Sequence, residues 1–230
     1  MESKEKKSRI LGLAFLIQFA TSFTSGIFIG PAATGVKAFA ESLGIGQIMA
    51  NLAANQGLAR LHILMELVTA AGVIFLGAVL YSALKKEHEG LALTAFGLYV
   101  MEGVLIAVSE LALFLLLVLG RRYVAEGGPA SLEPMAELLY NAKEYAFKLA
   151  NFSFCPGGTI FYALLFKART VARPLSLWGL ISAQGVFAGL VLGLLGQDAP
   201  VFLYVAYIPF ELAIAVWILV KGVRNERIPG

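Results

Sequence analysis

Between Arg60 and Leu119 the chain runs through two long apolar stretches on either side of one charged knot, Lys85-Lys86-Glu87-His88-Glu89. A helix needs about 20 apolar residues to cross a bilayer, and each stretch is long enough. Three carboxylates nevertheless lie inside them: Glu66 in the first, Glu102 and Glu110 in the second. A charged group at the bilayer centre costs at least ~2.5–3.5 kcal/mol on insertion scales. Carboxylates kept at that cost face a protein interior, and they are the first functional candidates.

The rest of the chain has the same character. Only 14% of its 230 residues are charged, against roughly 25% in a soluble domain, and the mean hydropathy is +0.79. These values predict an all-α polytopic membrane helix bundle that uses residues 1–230 as a single transmembrane domain. Its net charge of +3 would raise nucleic acid as a partner in a soluble protein. Here the basic residues cluster at helix ends, so membrane orientation accounts for them and nucleic acid is not expected. The single cysteine, Cys155, excludes an intrachain disulfide. With only His62 and His88 present, a histidine-rich metal site is excluded. The apolar run after the basic N-terminus is long for the core of a signal peptide and is read as an uncleaved first span.

Six spans are expected, at about 9–30, 60–84, 91–119, 148–166, 174–195 and 200–220. Pro31 is expected to end the first. From about Ala32 to Leu58 the chain is too polar to span. Val36, Phe39, Ala40, Leu43, Ile48 and Leu52 fall at helical spacing opposite Lys37, Glu41, Gln47 and Asn51, interrupted by Gly44 and Gly46. Short amphipathic helices fit this pattern, either lying in the membrane interface or packed as a cap on the bundle. Another is expected from Pro134 to about Ala150, with Met135, Leu138, Leu139, Ala142, Tyr145 and Leu149 on one side. All of these fall on the outer side. Span four carries Cys155-Pro156-Gly157-Gly158, where proline removes a helix hydrogen bond and a break or kink is expected.

Orientation follows from the basic residues. Twelve lie on one side: Lys4, Lys6, Lys7 and Arg9, then Lys85 and Lys86, then Lys167, Arg169 and Arg173, then Lys221, Arg224 and Arg227. Six lie on the other: Lys37, Arg60, Arg121, Arg122, Lys143 and Lys148. Both termini are therefore expected in the cytoplasm.

Three segments carry a family likeness: RLHILMELVTAAGVIFLGAVLYSALKK, LLFKARTVARPLSLWGLIS and YVAYIPFELAIAVWILVKG. Through them the chain resembles an uncharacterised family of prokaryotic six-span membrane proteins known only as a domain of unknown function. The resemblance covers nearly the whole chain. It implies six helices in a prokaryotic cytoplasmic membrane, and it implies no activity.

At 1.5 Å per residue, the polar residues inside the spans sort into two layers. His62, Glu66, Glu110 and Asn151 form an outer layer. Gln18, Glu102, Gln184 and Glu211 fall near mid-depth, with Tyr99 one turn from Glu102. Glu102 and Glu110 differ in direction by roughly 80° and can share one interior. One reading makes these groups structural, tying helices together by hydrogen bonds averaging about 0.6 kcal/mol each. The other makes them a cavity: two carboxylates a few ångströms apart cannot both stay ionised in an apolar interior, so a proton or cation is held between them. A metal at His62, Glu66 and Glu110 is a weaker alternative, and no metal or cofactor is expected. No phosphate-loop, metalloprotease or Ser/His/Asp spacing appears.

The expected function is binding or transport of a small molecule or ion, linked to protons or cations through buried carboxylates, in contact with membrane lipid. The alternatives are a membrane enzyme working on lipid-soluble substrates and a non-catalytic assembly or sensor subunit. The topology has a direct test. Reporter fusions at Gly90 and Gly230 are expected to read inside and one at Gly127 outside; an outside reading at Gly230 excludes six spans.

Overall fold

Apolar stretches longer than 20 residues leave the backbone one solution in hydrocarbon, the helix, in which every peptide group pairs within its own segment. The structure, a computed structural model, describes residues 2–36 and 43–221, with side chains from residue 10. Among these residues there is helix and no strand. The side chains of Lys4, Lys6, Lys7 and Arg9, and residues Lys37, Phe39, Ala40, Glu41, Arg224 and Arg227, lie outside the described residues.

Helix α1 (Glu2–Thr24) passes through a π-helical turn (Ser25–Ile29) into α2 (Gly30–Thr34); α3 (Ile45–Ala54) is short. Three long helices follow, α4 (Gln56–Leu84), α5 (Glu89–Ala125) and α6 (Glu133–Ala168), then α7 (Arg173–Leu194), α8 (Phe202–Val205) and α9 (Tyr207–Lys221). Six helical stretches are long and apolar enough to cross a membrane: Ile10–Thr34, Gln56–Leu84, Glu89–Ala125, Ala130–Ala168, Arg173–Leu194 and Phe202–Lys221.

Three boundaries differ from those expected, and each difference involves proline. Pro31 does not end the first span. It sits in the first turn of α2, directly after the π-helical turn. The helix instead stops at Gly35, which is left-handed (φ 78°) and donates its N–H to the Pro31 carbonyl. The fourth span and the amphipathic segment before it are one helix, α6, continuous through Pro156. The polar residues between Pro134 and Asn151 change the faces of this helix without removing any backbone hydrogen bond. In the last span a single turn residue, Ala206, separates α8 from α9; its backbone stays in the right-handed helical region (φ −62°, ψ −23°) and its N–H donates to the Phe202 carbonyl. Pro209 is the third residue of α9, a first-turn position that proline tolerates. The Ser182 hydroxyl of α7 donates to the Ala206 carbonyl (3.4 Å).

The chain forms two compact units. One comprises Met1–Phe19, Ala71–Gly103 and Ala150–Gly230, the other Ala20–Ala70 and Val104–Leu149. In the second unit α3 is core-packed: its buried Ile48, Met49 and Leu52 join Ala33, Leu113, Leu116, Leu117 and Ala136. Gln47 and Asn51, on its other side, hydrogen-bond each other (3.0 Å).

In the first unit the packing centres on Tyr99 of α5, which is 2% exposed. Gly77 of α4 lies against it, and a Cβ there would stand 2.8 Å from Tyr99 Cβ. On α6, a Cβ at Gly157 would stand 3.0 Å from the Tyr99 ring. The glycine beside Pro156 thus makes room for an aromatic ring. Phe161 meets Tyr99 edge-on, with centroids 5.1 Å apart.

This packing predicts a sign difference between two glycine substitutions. At Gly77 the new methyl meets the root of a side chain, and overpacking costs about 1–3 kcal/mol. At Gly97, on the same unit, nothing lies within 4 Å, so alanine gains helix propensity of up to about 1 kcal/mol. Thermal unfolding in detergent is expected to show Gly77→Ala below wild type and Gly97→Ala at or above it.

Candidate functional site

Two groups of polar side chains lie within the spanning helices, one in each unit. The first is built on helical spacing. Tyr99 and Glu102 stand three residues apart on α5; Tyr207 and Glu211 stand four apart on α9. Each pair therefore shares a helix face. Tyr162 of α6 completes the set. The Tyr162 and Tyr207 hydroxyls are 2.8 Å apart, and Tyr99 contacts Tyr162 in turn. The Glu211 carboxylate accepts hydrogen bonds from the Gln18 amide and the Tyr207 hydroxyl.

Glu102 lies within electrostatic reach of Glu211 and of Tyr99. It is 9% exposed, and its Oε2 has no hydrogen-bond partner among the described residues. Among the described residues, lysine and arginine are absent from the groups acting on either carboxyl. The Cys155 thiol is also near Glu102.

The structure thus brings Gln18, Tyr99, Glu102 and Glu211 together. Gln184 is placed elsewhere: it is exposed on α7 and donates to Thr159 Oγ1. Asn151 lies half-buried on α6 and belongs to the first unit.

The second group is assembled around His62, Glu66 and Glu110, all buried. Ser25, the first residue of the π-helical turn, shares a hydrogen bond with His62 Nδ1 (2.8 Å) and also contacts the Glu66 carboxyl. His62 Nε2 faces Glu110 Oε2 at 3.8 Å, too long for a hydrogen bond. That oxygen has no hydrogen-bond partner among the described residues. Lys143 of α6 acts electrostatically on His62, Glu66 and Glu110 while its Nζ lies 2.8 Å from Glu144. Its backbone carbonyl accepts from Ser109 (3.0 Å). One turn along α4 from Glu66, Thr69 donates to Thr21 (2.7 Å).

The π-helical turn shapes this group. Its i→i−5 bond runs from the Gly30 N–H to the Ser25 carbonyl, and π turns of this kind are frequent at functional sites. A Cβ at Gly30 would lie 3.0 Å from His62 Cε1 and Nδ1, so the imidazole packs directly against helix backbone. Among the described residues no three His, Cys, Asp or Glu side chains form a group able to hold a metal ion.

The two groups differ chemically. The second contains its own counter-charge in Lys143 and an imidazole. The first has two carboxyls, three phenols and an amide, with no cationic side chain among the described residues. Reading the sequence alone missed Ser25, Lys143, Tyr162 and Tyr207 as members. Only Tyr207 carried a usable signal, its i, i+4 spacing from Glu211. The π turn that aims Ser25 has no signature in sequence.

No curated protein and no solved structure matches the chain. A family described as "Domain of unknown function (DUF4386)" matches it over residues 10–222. With that match over nearly all of its length and six helices suited to crossing a membrane, the chain is an integral membrane protein and belongs to the family of that domain of unknown function.

Proposed function

We propose that the protein binds and moves a small ligand across the membrane, coupled to a proton held by Glu102 and Glu211. The observation that carries this reading is the pairing of two carboxyls on α5 and α9 with no lysine or arginine among the described residues beside them. Two negative charges in a low-dielectric interior repel strongly, so the pair retains a proton or takes up a cation. Tyr207, Tyr162 and Tyr99 extend hydroxyl contacts away from Glu211 and supply exchangeable protons. In this reading the protein resides in the cytoplasmic membrane of a prokaryote with both termini inside.

Infrared titration of the purified protein tests the proton. A buried carboxylic-acid band is expected to titrate between about pH 5 and pH 9 and to lose intensity in Glu102→Gln or Glu211→Gln. A spectrum with no such band, or a band that both substitutions leave intact, removes the reading.

One observation favours a second reading, a membrane enzyme for lipid-soluble substrates. The Ser25 hydroxyl is hydrogen-bonded to His62 Nδ1, and Glu110 stands on the other side of the ring, an order of hydroxyl, base and acid used in nucleophilic catalysis. A lipophilic fluorophosphonate is then expected to label Ser25 in wild type and to leave His62→Gln unlabelled. Mass spectra of treated wild type without a Ser25 adduct exclude it.

A further inference from the structure

The tyrosines that face Glu102 and Glu211 are packed against further aromatic rings, which holding a proton does not require. The Phe154 and Tyr207 ring centroids are 5.0 Å apart, as are those of Tyr162 and Phe210. Tyr207 and Phe210 are 5.6 Å apart, and Tyr99 meets Phe154 at 6.3 Å. These rings come from α5, α6 and α9, the helices that carry the carboxyls and Tyr162. Glu102 Oε2 is buried without a hydrogen-bond partner among the described residues.

Carboxylates inside a group of aromatic rings recognise one chemical class well. A positive charge is attracted to the face of an aromatic ring, and aromatic cages with a nearby anion select ammonium ions carried on an apolar body. An inorganic ion would have to exchange its water shell for protein oxygens, and among the described residues no group of three His, Cys, Asp or Glu side chains able to hold a metal ion forms here. We propose that this site takes a small organic cation, a protonated amine or a quaternary ammonium, in exchange for the proton shared by Glu102 and Glu211. The proposal names the cargo class for the proton-linked reading above and rests on it.

The exchange balances. One O–H bond of the carboxyl pair breaks, its proton leaves to water, and the positive charge of the ligand replaces it, so the net charge of the site is unchanged. The titratable groups facing the pair are Tyr99 on α5, Cys155 and Tyr162 on α6 and Tyr207 on α9; α1 contributes the neutral amide of Gln18. None is cationic, so the bound ligand meets no positive charge in this group.

The test uses the full chain in lipid nanodiscs under weak buffering. Benzyltrimethylammonium is the probe, because its charge does not titrate; its neutral isostere neopentylbenzene and sodium chloride are the controls. Benzyltrimethylammonium is expected to release about one proton per binding event, with affinity tightening up to about tenfold per pH unit. Neither control releases protons. Glu102→Gln and Glu211→Gln lose the release. A measurement on wild type covers the case in which the variants do not fold: dicyclohexylcarbodiimide, which modifies buried carboxylic acids, is expected to label Glu102 or Glu211, and the organic cation is expected to protect them. If the carboxyl band titrates while the cation neither releases protons nor protects, this inference is overturned and the proton reading stands. Equal release by neopentylbenzene overturns it as well. Absence of any titrating carboxyl band overturns the proton reading, and this inference with it.

Discussion

Inside hydrocarbon a carboxyl has no water to share its charge, so every acidic side chain in a spanning helix must find its company within the protein. Most of the polar architecture here answers that requirement, and it does so by two chemistries. Around Glu66 and Glu110 the answer is a mixed set: a serine hydroxyl, an imidazole and the Lys143 ammonium. Such a set holds charge of both signs and resembles an ordinary interior ion cluster. Around Glu102 and Glu211 the answer is phenols, an amide and aromatic rings. Neutral donors can solvate one carboxylate; they do not cancel two. The functional reading rests on that asymmetry.

The apolar packing serves the same ends. Tyr99 reaches its position because two helices present bare backbone to it, at Gly77 and Gly157. His62 likewise packs on the backbone at Gly30. In both cases a missing methyl group fixes a polar ring among otherwise close-packed helices. Interiors at crystal-like density transmit a misplaced methyl as a displaced ring, so these glycines belong to the sites as much as the side chains they admit.

Fold class and the six spans were legible in sequence because length and apolarity leave hydrocarbon-embedded backbone a single solution. Glu102 and Glu211 were legible as partners because depth along a helix is a simple count of residues. Depth says nothing about azimuth, which is why Gln184, at matching depth, turns out exposed and bonded to Thr159. The end of the first span was misplaced for a related reason. A proline's consequence depends on its place within a turn, and sequence gives its neighbours but not that phase. Pro31 lies inside the helical run that stops at Gly35, and Pro156 lies inside a continuous α6, which excludes a break there. Tyr162 and Tyr207 were not legible as members of the group, since a phenol declares itself only when its hydroxyl finds a partner.

The π-helical turn at Ser25–Ile29 carries one residue more than the same length of α-helix, a phase slip of about 100° in everything beyond it. Moving such a slip by one residue would exchange only a few backbone hydrogen bonds. Each step of migration swings one side chain off its azimuth and brings the next one in. Ser25 is the residue at the edge of that slip, so its hydrogen bond to His62 is tied to the winding of the helix that bears it. A local rewinding by one residue would uncouple hydroxyl from imidazole without moving α4 or α5.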